Sequence, residues 1–228
     1  MSEETIIQLE NVDVFQEMQL VLSNVNLEIK KGDFVFLIGQ TGSGKSSLLK
    51  IIYSELAIAT GTCIVAGQDM GTIKDKDIPF LRRKLGIVFQ DFQLLMDRNV
   101  EKNLEFVMRA TGWKNKEEIK ARIEEVLDLV GLKLKSHRMP YELSGGEQQR
   151  IVVARALVNH PEIILADEPT GNLDPETSVE IMNLLRKISD TGTAVIMATH
   201  DYSMIKRFPS RIIKCDNGQI SEERYLLN

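Results

Sequence analysis

The octapeptide Gly39-Gln40-Thr41-Gly42-Ser43-Gly44-Lys45-Ser46 follows the apolar run Phe34-Val35-Phe36-Leu37-Ile38 and leads into a helix-like segment from Ser46 to Tyr53. Strand, glycine-rich loop and helix in that order read as an α/β chain with a mainly parallel sheet and flanking helices. Three glycines let the backbone curl so that successive N–H groups converge on one concavity, and the helix start adds its positive end. The pattern is a phosphate-binding loop. It predicts a nucleotide polyphosphate held by Gly39, Gln40, Thr41, Gly42, Ser43, Gly44, Lys45, Ser46 and Ser47. Lys45 is expected to reach the β- and γ-phosphates, and the Ser46 hydroxyl to sit on Mg²⁺.

A chain of 228 residues has room for one large domain with a buried core and is long enough for an enzyme. Its formal net charge is -5, with no block of lysine or arginine, which argues against nucleic acid as a partner. Cys63 and Cys215 lack metal-ligand spacing and read as reduced thiols of a cytosolic protein. The acidic start, Met1-Ser2-Glu3-Glu4-Thr5, lacks the basic and apolar regions of a signal peptide. No apolar run approaches the roughly 20 residues needed to cross a bilayer, so a membrane role is expected to come through a partner.

Ahead of the loop, Ile6 to Val14 and Leu20 to Ile29 carry strand patterns, a small β layer. Phe15 ends the first of them, either as a half-buried aromatic or as a stacking platform for a base. Gly61 to Ala66 gives another short strand. Leu85-Gly86-Ile87-Val88-Phe89 is an apolar strand ending on the amide of Gln90, at the edge where open α/β sheets bind ligands. From Asn99 to about Leu132 the periodicity becomes helical, with Ile119, Ile123, Val126, Leu127 and Val130 on one stripe. This reads as a helical insertion, and a helical subdomain over about residues 91–158 is expected within a single domain spanning 1–228.

Leu143-Ser144-Gly145-Gly146-Glu147-Gln148-Gln149-Arg150 precedes a helix read as Ile151 to Val158. Ser144 with Glu147 forms a capping box, and the same glycines leave N–H groups free for an anion. The two readings are compatible. Glu162 to Glu168 is an apolar strand ending in the carboxylate pair Asp167-Glu168, suited to a metal ligand and a base beside a phosphate loop. Asp174 and Pro175 start a helix to about Ile188, and Thr193 to Thr199 is a buried strand ending at His200.

Together, the phosphate loop, Gln90, LSGGEQQR, ILADE, the GNLD turn and His200 resemble the nucleotide-binding domain of ATP-binding cassette proteins, in order along almost the whole chain. Pro79 to Arg83, Phe89 to Arg98 and Leu165 to Asp174 resemble the cell-division branch of that family, with lipoprotein-releasing and macrolide-export ATPases as the alternative. The resemblance implies a P-loop nucleoside-triphosphatase core with an N-terminal antiparallel β subdomain, and ATP and Mg²⁺ as cofactors. It implies a head-to-tail, ATP-dependent homodimer in which Ser144, Gly145 and Gly146 of one subunit close on the phosphate loop of the other. By the same resemblance Asp167 holds the metal, Gln90 contacts the metal and the water, Glu168 is the base, Asp174 communicates between sites and His200 reaches the γ-phosphate. Phe15 falls where the family commonly stacks a tyrosine on adenine. The implied setting is the inner face of a bacterial cell membrane, beside an integral membrane partner that controls peptidoglycan hydrolysis during division. The segment Asp91 to Met96 is either packing or the docking surface for that partner.

Overall fold

The computed structural model describes residues 4–223, so Met1, Ser2 and Glu3 of the acidic start and the last five positions lie outside the described residues. The strands are β1 (Thr5–Gln16), β2 (Gln19–Lys30), β3 (Phe34–Ile38), β4 (Thr60–Val65), β5 (Gln68–Asp69), β6 (Leu85–Phe89), β7 (Ile163–Asp167), β8 (Ala194–Ala198), β9 (Arg211–Asp216) and β10 (Gln219–Glu223). The helices are α1 (Lys45–Ile52), α2 (Ile78–Arg83), α3 (Val100–Ala110), α4 (Lys116–Leu129), α5 (Gly145–Leu157), α6 (Pro175–Asp190) and α7 (Tyr202–Arg207).

Two sheets result. An antiparallel sheet has the order β2-β1-β4-β5, and a six-stranded sheet has the order β10-β9-β3-β8-β7-β6, parallel from β9 to β6 with β10 antiparallel at its edge. This is a mainly parallel α/β core carrying an antiparallel β subdomain. Side chains alternate across β3 with period two: Phe34, Phe36 and Ile38 join the core beneath α3 to α6, whereas Val35 and Leu37 join the core shared with β1, β2 and α1. The parallel sheet is therefore apolar on both faces, as a sheet covered on both sides must be.

The helical insertion expected from Asn99 to about Leu132 is built of two helices, because Gly112 takes φ 98 and the Asn115 side chain caps a new start, accepting from the N–H groups of Glu117 and Glu118. The helix after Ser144 begins at Gly145, six residues ahead of the expected Ile151. The capping box accounts for this: Ser144 Oγ accepts from Glu147 N and the Glu147 carboxylate accepts from Ser144 N, which compensates for two glycines in the first turn.

Phe36 is completely buried and meets Phe34 edge-on at 5.3 Å between ring centroids. Phe36→Ala is expected to destabilise the fold by about 3–5 kcal/mol through lost transfer and a residual cavity. Urea unfolding checks this, and a loss below about 1 kcal/mol would mean that the two-sided packing of β3 matters less than its burial indicates.

Candidate active site

Strand register brings the chemistry together. Phe89 lies opposite Asp167 and Asp167 opposite Ala198, so Gln90, Glu168 and the Thr199-His200 step leave the sheet side by side at its carboxyl edge. Glu168 N donates to Ala198 O at 2.9 Å and Thr199 N to Leu37 O at 3.1 Å, which ties these exits to the end of β3, where the phosphate loop starts. Gly39 at φ 148 is required there, since a Cβ would stand 2.3 Å from the Cys215 carbonyl. Gly44 at φ 100 caps α1 with backbone alone.

An open cleft of about 1470 Å³ runs along this edge. Thr41, Gly42, Gly44, Lys45, Ser46, Ser47, Gln90, Asp167, Glu168 and His200, all expected from the sequence, line it. Lys45, only 8% exposed, stretches back over the loop and donates to the carbonyls of Gly39 at 2.8 Å and Gln40 at 3.0 Å. Ser46 Oγ donates to Asp167 Oδ2 at 2.9 Å. His200 Nδ1 lies 2.8 Å from Glu168 Oε1, with the imidazole 74% exposed and the carboxylate 17% exposed. Glu168 itself adopts φ 50. That left-handed conformation costs a residue with a Cβ about 1–2 kcal/mol and turns the carboxylate out of the strand line.

The donors suit a hard cation. A hydroxyl and a carboxylate at hydrogen-bond distance, with an amide at the mouth, match Mg²⁺, which is usually held by one or two carboxylates and by substrate phosphates. Among the described residues no group of three or more His, Cys, Asp or Glu forms a metal cage.

Other expected residues lie apart. Ser144, Gly145 and Gly146 do not line this cleft. Phe15 is half-buried on β1 opposite Leu20, and the neighbouring hairpin, Gln16 to Val21, walls the cleft in its place, with Met18 97% exposed. Asp174 caps α6, and the Thr177 hydroxyl with the Thr177 N–H holds its carboxyl below the usual range. Asn172 was not singled out from the sequence, yet it meets Gln90 twice: Gln90 Nε2 donates to its Oδ1 at 3.2 Å and its Nδ2 donates to Gln90 O at 3.1 Å. Its place in the GNLD turn was the only sequence signal.

The sequence profile of the ABC transporter family matches residues 22–171. The chain belongs to that family. Curated relatives of this ABC ATPase include the cell division ATP-binding proteins FtsE of Streptococcus pneumoniae D39, 47% identical over 87% of this chain and 86% of that protein. FtsE of Bacillus subtilis is 46% identical over 87% of each, and FtsE of Escherichia coli K12 is 41% identical over 87% of this chain and 89% of that protein. Among solved structures, the dimeric post-hydrolysis state of the cassette MJ0796 bound to ADP and Pi is 37% identical with a TM-score of 0.83, covering 96% of this chain and 98% of that one. The structure of cbiO1 from Clostridium perfringens, part of the ABC transporter complex cbiONQ, is 28% identical with a TM-score of 0.88, covering 96% of this chain and 88% of that one. The chain is an ATP-binding and ATP-hydrolysing subunit of ABC type.

Glu168→Gln is expected to lower kcat by about 100-fold or more while leaving ATP affinity within a few-fold, because the amide cannot take a proton from water and the phosphate loop is untouched. Steady-state turnover with a parallel nucleotide titration measures both. Near-normal turnover would remove Glu168 from the role of base.

Proposed function

We propose that this chain is the FtsE-like ATPase of a membrane complex acting in cell division, with each ATP enclosed between two copies of the chain. The observation that carries the proposal is the convergence of Lys45, the Ser46–Asp167 pair and the Glu168–His200 pair on one sheet edge. In this reading the phosphate-loop amides and Lys45 hold the β- and γ-phosphates, and Ser46, Asp167 and Gln90 are the residues that would hold Mg²⁺, which supplies charge neutralisation at the phosphates. Glu168 takes a proton as the oxygen of water attacks the γ-phosphorus. The bond from that phosphorus to the bridging oxygen breaks, and ADP and phosphate leave. His200 steadies Glu168 and reaches the γ-phosphate, while Phe15 and the Met18 hairpin flank the base. We take the chain as a single nucleotide-binding domain, with a helical subdomain over about residues 91–158.

Ser144, Gly145 and Gly146 start α5 with the serine exposed and away from the cleft of the same chain, which supports their use by a second copy arranged head to tail. The dimeric form of the MJ0796 relatives supports it as well. In a symmetric dimer one substitution acts at both sites. Ser144→Arg is therefore expected to abolish ATP-dependent dimers while leaving monomer binding of ATP intact. Light scattering of the variant in a Glu168→Gln background reads this, and dimers of unchanged stability would sink the shared-site reading.

Among the described residues no helix is long and apolar enough to cross a membrane, so attachment to the inner face of the cell membrane is assigned to an FtsX-like integral partner. The expected docking segment divides in two. Leu94 is core, whereas Leu95 lines a groove with Ile87, Phe89, Phe106 and Val107, and Met96 and Phe106 are 53% and 48% exposed. An amphipathic helix of the partner fits such an apolar groove. Leu95→Glu is expected to abolish co-purification with the membrane partner while the melting temperature and ATP affinity stay near wild type. If the melting temperature drops with partner binding retained, Leu95 is packing and the docking assignment fails.

A further inference from the structure

Two carboxylates flank the serine and glycines that open α5, and each is held in the same way. Glu142 Oε2 accepts from Met139 N at 2.7 Å, while Arg138 Nη1 lies 3.2 Å from its Oε1. Glu147 Oε2 accepts from Ser144 N at 2.9 Å, while Lys135 Nζ lies 3.2 Å from its Oε1. One oxygen of each carboxylate thus goes to the backbone and the other to a cation. The Met139 and Ser144 N–H groups foremost, helped by Arg138 and Lys135, hold both carboxyls below their usual range, so both are charged at neutral pH.

The two charges differ in what they would do. Glu142 lies outside α5, and its cation comes from four residues back in the same segment. Glu147 is the third residue of α5, inside the turn whose free N–H groups face a second copy in the shared-site reading. A carboxylate there favours the helix itself, through the capping box and the helix dipole. It opposes a phosphate brought to the same helix start, because two like charges then meet. The cation that resolves this conflict does not come from α5. Lys135 ends the short helical turn Lys133–Lys135, where its own N–H donates to Leu132 O at 2.9 Å, and its side chain spans twelve positions of sequence to reach Glu147. With the lysine side chain 39% exposed and the glutamate 26%, the pair is of the partly solvated kind that adds little to folding stability. A role in charge is therefore separable from a role in folding.

On the basis of the shared-site reading, we propose that Lys135 is a positioning residue for the second phosphate site: it holds Glu147 Oε1 and cancels its charge, so that the α5 start presents its hydroxyl and amides to the triphosphate of another copy without a net repulsion. Lys135 does not line the cleft of its own chain and acts through Glu147.

Light scattering of ATP-driven dimers in a Glu168→Gln background tests this, with Lys135→Met, Glu147→Gln and the two combined. Lys135→Met keeps the aliphatic stem and removes the charge, and it is expected to weaken the dimer about five- to thirtyfold, the scale of one exposed charge lost at each of two sites. Its melting temperature and the ATP affinity of the monomer should stay at the reference values. Glu147→Gln keeps the cap, since glutamine serves the same capping box. In that background Lys135→Met should cost less than about threefold, because no carboxylate remains to be masked. Lys135→Arg, which restores the cation, should dimerise within about threefold of the reference. Added salt should narrow the gap between Lys135→Met and the reference. An equal loss in both Glu147 backgrounds would mean that Lys135 acts on the nucleotide directly or on the fold, and a dimer untouched by Lys135→Met would mean that nothing needs masking. Either result overturns the role of Lys135. Should Lys135→Met lower the melting temperature, Lys135→Gln carries the same comparison. If the Glu168→Gln reference stays monomeric with ATP, the shared-site reading itself has failed, and the role of Lys135 with it.

Discussion

Parallel pairing of β3, β8, β7 and β6 is the constraint on which the site depends. In a parallel ladder every strand delivers its C-terminal residue to the same edge, and the register decides the height at which each one leaves. Here Phe36 faces Met197, Ala198 faces Asp167, and Asp167 faces Phe89. The phosphate loop, His200, Glu168 and Gln90 therefore exit as neighbours. A slip of one residue in β7 would turn Ile163, Ile164, Leu165 and Ala166 each toward the wrong core and carry Asp167 away from Ser46. The apolar residues that hold the register are thus what place the carboxylates, and of those named Phe89 alone reaches the cleft.

Local chemistry was legible in the sequence wherever a motif carries its own geometry. The phosphate loop needs only its glycines and the following helix start, and the Ser144–Glu147 capping box needs only a spacing of three. The break after Ala110 was not legible, because a lone Gly112 inside a helical period is tolerated often and the deciding feature is the Asn115 cap beyond it. The Asn172–Gln90 pair joins residues 82 positions apart, and no periodicity predicts such a contact. The docking segment illustrates the same limit. Phe92, Leu94, Leu95 and Met96 look alike as a run of apolar residues, and only the turn at Phe92 and Gln93 determines that Leu94 goes inward while Met96 goes outward.

The capping box at α5 also bears on what the proposed second phosphate site can do. Ser144 N is taken by the Glu147 carboxylate, and Glu147 N by Ser144 Oγ, so neither is free for an anion. In accepting, however, Ser144 Oγ uses a lone pair and keeps its hydrogen, which remains available as a donor. Gly145 and Gly146 contribute first-turn N–H groups with no intrahelical acceptor. The opposing feature is the negative charge of Glu147 in the same turn, and the fold offsets it: Lys135 Nζ lies 3.2 Å from Oε1, and the Ser144 N–H foremost, then Lys135, hold the carboxyl below its usual range. The carboxylate is engaged on its own side of the turn, leaving a hydroxyl and two amides facing outward under the positive end of a 13-residue helix. That donor set suits the terminal phosphate of a nucleotide presented by another copy of the chain. Because it contains no cation of its own, its attraction depends on how much negative charge the phosphate loop of the other copy leaves uncovered, so a triphosphate would draw the two copies together more strongly than a diphosphate.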